Sequence, residues 1–126
     1  MSKTERALVI AISEAVEEEV VLLVNGTLVK CFLSYCPGNI EVGGSYDIEM
    51  DMVLPDDNFI VMAEEKGSMV EMCDEGFSCF LYGFLDGGVF KSFIEFSDQD
   101  IHYEYPSFNE KFVRIKVDRI DVAFCS

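Results

Sequence analysis

Few residues in this chain have the chemistry to act on another molecule, and their spacing narrows what that chemistry is. His102 is the single histidine. Asp100 and Glu104 flank it at two-residue intervals. On an extended strand all three share a face, with about 7 Å between successive same-face residues. Carboxylates that close favour the imidazolium, and the same stripe offers nitrogen and oxygen donors of the kind a divalent cation takes. A solvated strand face has the same pattern, and that is the preferred reading.

The five cysteines are Cys31, Cys36, Cys73, Cys79 and Cys125. Zinc knuckles place about two to four residues between paired cysteines. Cys31 and Cys36 fall at the edge of that range; Cys73 and Cys79 fall outside it and span Gly76. The spacing favours reduced, buried thiols acting as small apolar residues, and an odd count gives no complete disulfide framework. A cysteine nucleophile would need His102 beside it and a third group to orient the ring. The chain has no nucleophile elbow, phosphate-binding glycine loop, dinucleotide fingerprint or His-Glu-x-x-His pair. Asp47, Glu49 and Asp51, and the Asp56-Asp57 pair, lack the order of a calcium loop. No metal and no cofactor is expected.

The elements that must carry these residues read as strands. Arg6–Ser13 is apolar on both faces, as in a central or barrel strand. Val20–Val24, Asn25-Gly26 and Thr27–Leu33 form the clearest local signal, a two-residue hairpin with a type I′ turn. Its register sets Val24 opposite Thr27, Leu22 opposite Val29 and Val20 opposite Cys31. Ser13–Glu19 is an acidic connection, with Cys36-Pro37-Gly38-Asn39 and Gly43-Gly44 as later breaks.

Tyr46–Leu54 alternates, with Ile48, Met50 and Met52 inward and Asp47, Glu49 and Asp51 outward. Pro55–Asn58 is a turn, Phe59–Ala63 a short strand, Glu64–Ser68 another turn, and Met69–Glu75 either strand or helical turn. Phe77–Leu85 and Val89–Phe96 form a second hairpin about Asp86-Gly87-Gly88. Asp98–Tyr105 alternates again and is expected as a strand. Pro106–Glu110 is a loop. In Phe112–Phe124 the apolar set changes parity between Asp118 and Arg119, which requires a bulge or a bend.

About eight strands with regular turns and no helical stripe predict an all-β single domain over residues 1–126, a barrel or sandwich. The long first strand, the hairpin, the paired glycines and the strand ending at Leu54 resemble the opening meander of an OB-type barrel. That resemblance implies a fold and carries no function.

Charge bears most directly on partners. The chain of 126 residues has a formal net charge of −15. Residues 1–110 hold 22 acidic and 5 basic residues, whereas Lys111, Arg114, Lys116 and Arg119 make the last stretch basic. The acidic field repels phosphate backbones and anionic lipid and attracts basic proteins, so nucleic acid is disfavoured. The leading expectation is a non-catalytic interaction module, of an immunity, inhibitor or adaptor kind. Its acidic surface, with Asp47, Glu49, Asp51, Asp98, Asp100 and Glu104 as contact residues, engages a basic protein. The alternatives are an OB-like nucleic-acid-associated domain using the four C-terminal cations, and a cysteine- or metal-dependent enzyme. The aromatics of Phe77–Phe96 are expected mainly in the core. No apolar run approaches the roughly 20 residues of a bilayer span, no secretory signal is evident, and a cytoplasmic location is expected.

Overall fold

A computed structural model describes residues 4–56, 59–65, 69–73 and 76–125. In chain order the strands are β1 (Glu5–Ile12), β2 (Glu19–Val24), β3 (Thr27–Tyr35), β4 (Ser45–Val53), β5 (Ile60–Met62), β6 (Val70–Met72), β7 (Cys79–Asp86), β8 (Val89–Lys91) and β9 (Glu95–Ser97). A short helix α1 (Gln99–Glu104) and a 3-10 turn at Pro106–Phe108 precede β10 (Phe112–Val117) and β11 (Arg119–Phe124). The fold is all-β.

The expected hairpin forms with its expected register, Val24↔Thr27, Leu22↔Val29 and Val20↔Cys31. Asn25 and Gly26 take φ of 48° and 78°, the left-handed pair that lets a two-residue turn follow the strand twist. The inward residues Val20, Leu22, Val24, Val29 and Cys31 are all buried. Removing an aliphatic side chain from water stabilises the fold by about 1.5–3 kcal/mol.

Strands β1, β2, β3, β11 and β4 pair in that order, and β4 returns to β1. All neighbours are antiparallel except β3 and β11. The remaining strands make a second sheet in the order β5-β10-β7-β8-β9, with β6 beside the start of β7. Its inward side chains join those of the ring in one core. β6 lies against β3, and β9 against β4. Among the described residues no polar or charged side chain is buried.

The parity change at Asp118 has a clear structural meaning. Val113, Ile115 and Val117 point into the core from the second sheet, and Ile120, Val122 and Phe124 from the ring. Asp118 is where the chain passes between them, its amide donating to the Val53 carbonyl at 2.8 Å.

Three expectations are corrected. Val89–Phe96 is not one strand: β8 and β9 fold back on each other, with Phe90 opposite Phe96. The bend between them is held by Ser92 Oγ donating to the Tyr82 carbonyl at 2.7 Å and Asn25 Nδ2 donating to the Phe93 carbonyl at 3.0 Å. Asp98–Tyr105 is not a strand but a capped helix. The outer side of β1 is not covered, since Ile10 and Ile12 are 38% and 36% exposed; only its Ala7–Val9 side faces the core. The ambiguous segment after Met69 contains β6, with Asp74 and Glu75 outside the described residues. Asp57 and Asn58 of the first expected turn, and Lys66–Ser68 of the second, also lie outside them.

Candidate functional site

Where β4 ends, Leu54 and Asp56 lie beside α1, and with Phe59 they line a cleft of about 230 Å³. Asp98 caps the helix: its Oδ1 accepts from the amides of Asp100 at 3.0 Å and Ile101 at 3.3 Å. This satisfies amides that a first turn leaves without partners. The cap turns a polar, alternating stretch into a helix. Ile101 becomes its buried anchor, and Tyr103, which a strand would have put beside Ile101, is 75% exposed. Tyr105, at the end of the helix, packs edge-on against Phe59 with ring centroids 5.2 Å apart.

The helix places Asp100 and Glu104 one turn apart on the same face. Both line the cleft with Asp56 and Asp98, and no basic side chain is among the described residues lining it. Asp98 is committed to the cap. Asp56, Asp100 and Glu104 are exposed.

Three of the six expected contact residues, Asp98, Asp100 and Glu104, are therefore brought together. The other three are not. Asp47, Glu49 and Asp51 lie along the outer side of β4, where Asp47 accepts from Arg6 Nη1 at 3.1 Å. Asp56 was visible in the sequence as a turn residue after Pro55; its meeting with α1 is a tertiary event with no local signal.

His102 lines neither this cleft nor the one described next. Its ring tilts against Tyr103 at 5.9 Å, and its buried Nδ1 has no hydrogen-bond partner among the described residues. The expected His–carboxylate strand face does not exist, because on a helix His102 falls on the side away from Asp100 and Glu104. No group of three metal-ligating side chains occurs among the described residues.

A second cleft, of about 470 Å³, lies on the outer side of the second sheet and is lined by Val61, Met62, Glu64, Glu65, Tyr82 and Arg114. The expected basic strip is divided here. Arg114 lies on the Phe80 ring at 4.4 Å. Arg119 belongs to the other sheet, stacks on Phe32 at 4.1 Å and donates through Nε to Asp121 at 2.8 Å. Lys111 and Lys116 are exposed. The aromatics of the Phe77–Phe96 segment are largely internal: Tyr82, Phe90, Phe93 and Phe96 are buried, Phe77 and Phe80 half-buried, and Phe84 exposed.

The thiols divide sharply by environment. Burial, then the neighbouring Cys79 and Asp121, raises the Cys31 thiol well above its ordinary value. Burial, then Cys73, pushes Cys79 from 9.0 up to about 12. Since the thiolate is the nucleophile, both should stay unlabelled by N-ethylmaleimide at pH 8 while exposed Cys125 reacts, and should label once urea unfolds the chain. Mass spectrometry of the labelled peptides reads this directly. The raised values also stabilise the fold below the ordinary thiol range. That contribution is lost as pH climbs from 9.0 toward about 12 for Cys79.

The family model described as Uncharacterised conserved protein UCP019853 matches residues 1–125. The chain belongs to this family. No curated protein and no solved structure matches it. The UCP019853 match spans both sheets and both clefts, so the acidic cleft lies within the matched region. No helix among the described residues is long and apolar enough to cross a membrane.

Proposed function

We propose that the protein is a non-catalytic binding module whose acidic surface engages a basic protein partner, as an immunity, inhibitor or adaptor protein does. One observation carries this reading: Asp56, Asp98, Asp100 and Glu104 gather at one cleft whose described lining has no cation. In a chain of net charge −15, such a concavity focuses negative potential and raises the local concentration of cationic groups. Its partly apolar lining, Leu54, Phe59 and Ile101, suits the aliphatic stem of a lysine or arginine. Affinity capture across a salt series tests the reading. Basic partners that elute as salt rises are the expected result; non-basic partners, or retention indifferent to ionic strength, would refute it.

A second reading is supported by strand order. The ring β1-β2-β3-β11-β4 is similar to an OB-type barrel, whose second and third strands and adjoining loops serve oligonucleotide binding in many proteins. Here the outer side of β2 and β3 presents Val21, Leu23, Leu28, Lys30 and Phe32, with one cation among apolar side chains. Two of the four C-terminal cations are already stacked on rings. These features favour a protein partner over a phosphate backbone. A cytoplasmic setting is part of the same proposal.

A further inference from the structure

β5 is one of the two terminal strands of the second sheet. It pairs with β10 through Ile60↔Ile115, Val61↔Arg114 and Met62↔Val113. Among the described residues no strand pairs with its other edge. The phase of its backbone is fixed by two hydrogen bonds, Lys116 N–H to the Phe59 carbonyl at 2.8 Å and Ala63 N–H to the Phe112 carbonyl at 3.1 Å. By alternation, the amides and carbonyls of Phe59, Val61 and Ala63 face β10, and those of Ile60 and Met62 face outward. Such an edge is a template for another extended chain. Val61 and Met62 are 42% and 57% exposed, so the strand's side chains are accessible as well.

Both ends of this edge are acidic. Phe59, at its start, lines the cleft that holds Asp56, Asp100 and Glu104. Glu64 and Glu65, just past its end, line the second cleft with Val61, Met62 and Arg114, whose guanidinium lies on the Phe80 ring. The span from Phe59 to Ala63 is four strand steps, about 13 Å.

We infer that β5 is the docking edge for an extended basic segment, which adds to the second sheet as a strand and sets cationic side chains against the carboxylates at both ends. The inference rests on the acidic-surface reading above and specifies how that surface is used. Charge selects the occupant. A second copy of this chain added antiparallel to β5 would bring Glu64 and Glu65 toward the acidic cleft of its partner, and like charges set opposite each other oppose pairing. A basic strand meets attraction at the same places. The outward backbone groups of two residues are too few to hold a chain unaided, so the terminal charges are required and binding is salt-sensitive.

The test uses the full chain and a nine-residue peptide with two lysines at each end of five alternating threonines and valines. A comparison peptide has the same sequence with every core backbone nitrogen methylated, which keeps the charge and deletes the strand donors. Binding is read by fluorescence anisotropy, and amide hydrogen exchange by NMR. Strand addition predicts that methylation weakens binding at least ten-fold. It also predicts that saturating peptide slows exchange of the Ile60 and Met62 amides at least ten-fold, while Val61, already facing β10, changes little. Equal binding of the two peptides, with Ile60 and Met62 exchanging as in the free protein, overturns the docking edge and leaves the acidic-surface reading standing. Failure of both peptides to bind at millimolar concentration and low salt overturns both.

Discussion

Replacing Asp56 and Asp100 with asparagine and Glu104 with glutamine is expected to weaken binding of a lysine-ended peptide about ten-fold while leaving the fold unchanged. All three carboxylates line one cleft, and none has a hydrogen bond or ion pair among the described interactions. Exposed charge pairs contribute under about 1 kcal/mol each, so three of them together amount to roughly one decade in affinity. Asp98 is left intact because its carboxylate caps α1 at 3.0 and 3.3 Å; removing it would mix a stability loss of about 1 kcal/mol with the binding effect. Titration calorimetry gives the affinity, and circular dichroism during heating checks the fold. A variant that binds as tightly as the wild type would mean that the cleft is not the contact surface.

The largest expected loss of stability comes from a single methyl group. Gly83 lies in β7, opposite Val113 of β10. A Cβ there would press on the backbone carbonyl of Lys91 and reach 3.0 Å from Phe90 Cε1. The neighbour that must yield is backbone of β8, and the ring belongs to a core residue 1% exposed. Overpacking of this kind costs about 1–3 kcal/mol, and a backbone obstacle puts Gly83→Ala near the upper end. The melting temperature should fall by about 10 °C. Gly38→Ala is the matched control, since nothing lies within 4 Å of a Cβ at Gly38, and it should change the melting temperature little.

The parts of this fold that could be read from the sequence are those fixed by local rules. Asn25-Gly26 demands left-handed φ at two successive residues, so the turn, its register and the burial of Val20, Leu22 and Val24 follow together. Two-residue periodicity placed β4 with Ile48 and Met50 inward. The parity change at Asp118 marked a real event, the passage between sheets.

What was not legible depends on distant residues. The bend after β8 is held by Ser92 donating to the Tyr82 carbonyl and by the Asn25 side chain, 68 residues from Phe93 along the chain, so both partners lie outside Val89–Phe96. In Asp98–Tyr105 two periodicities compete. Ile101, Tyr103 and Tyr105 satisfy a strand, while Ile101 and Tyr105 alone satisfy a helix; the Asp98 cap and the contact of Tyr105 with Phe59 decide for the helix. The acidic cleft was half legible for the same reason. Asp98, Asp100 and Glu104 stand out in the sequence as one acidic stretch, but Asp56 joins them only when the end of β4 is laid beside α1.

The free edge of β5 had no sequence signature. A three-residue strand looks alike whether it lies inside a sheet or at its border, and only the strand order distinguishes the two. Likewise, the four C-terminal cations form a strip in the sequence but are split between two sheets by Asp118, and Arg114 and Arg119 are turned onto aromatic rings.

The proposed contact depends on carboxylates held at the surface of an apolar core, free to attract a cationic chain. The most direct measurement is the affinity of the lysine-ended peptide across sodium chloride concentrations for the wild type and the Asp56, Asp100 and Glu104 triple variant. For such a contact the affinity is expected to fall at least ten-fold between about 50 and 300 mM salt, as screening shortens the reach of each charge, with a distinctly shallower dependence for the variant. A wild-type affinity unchanged by salt, or a variant with the same dependence, would contradict it.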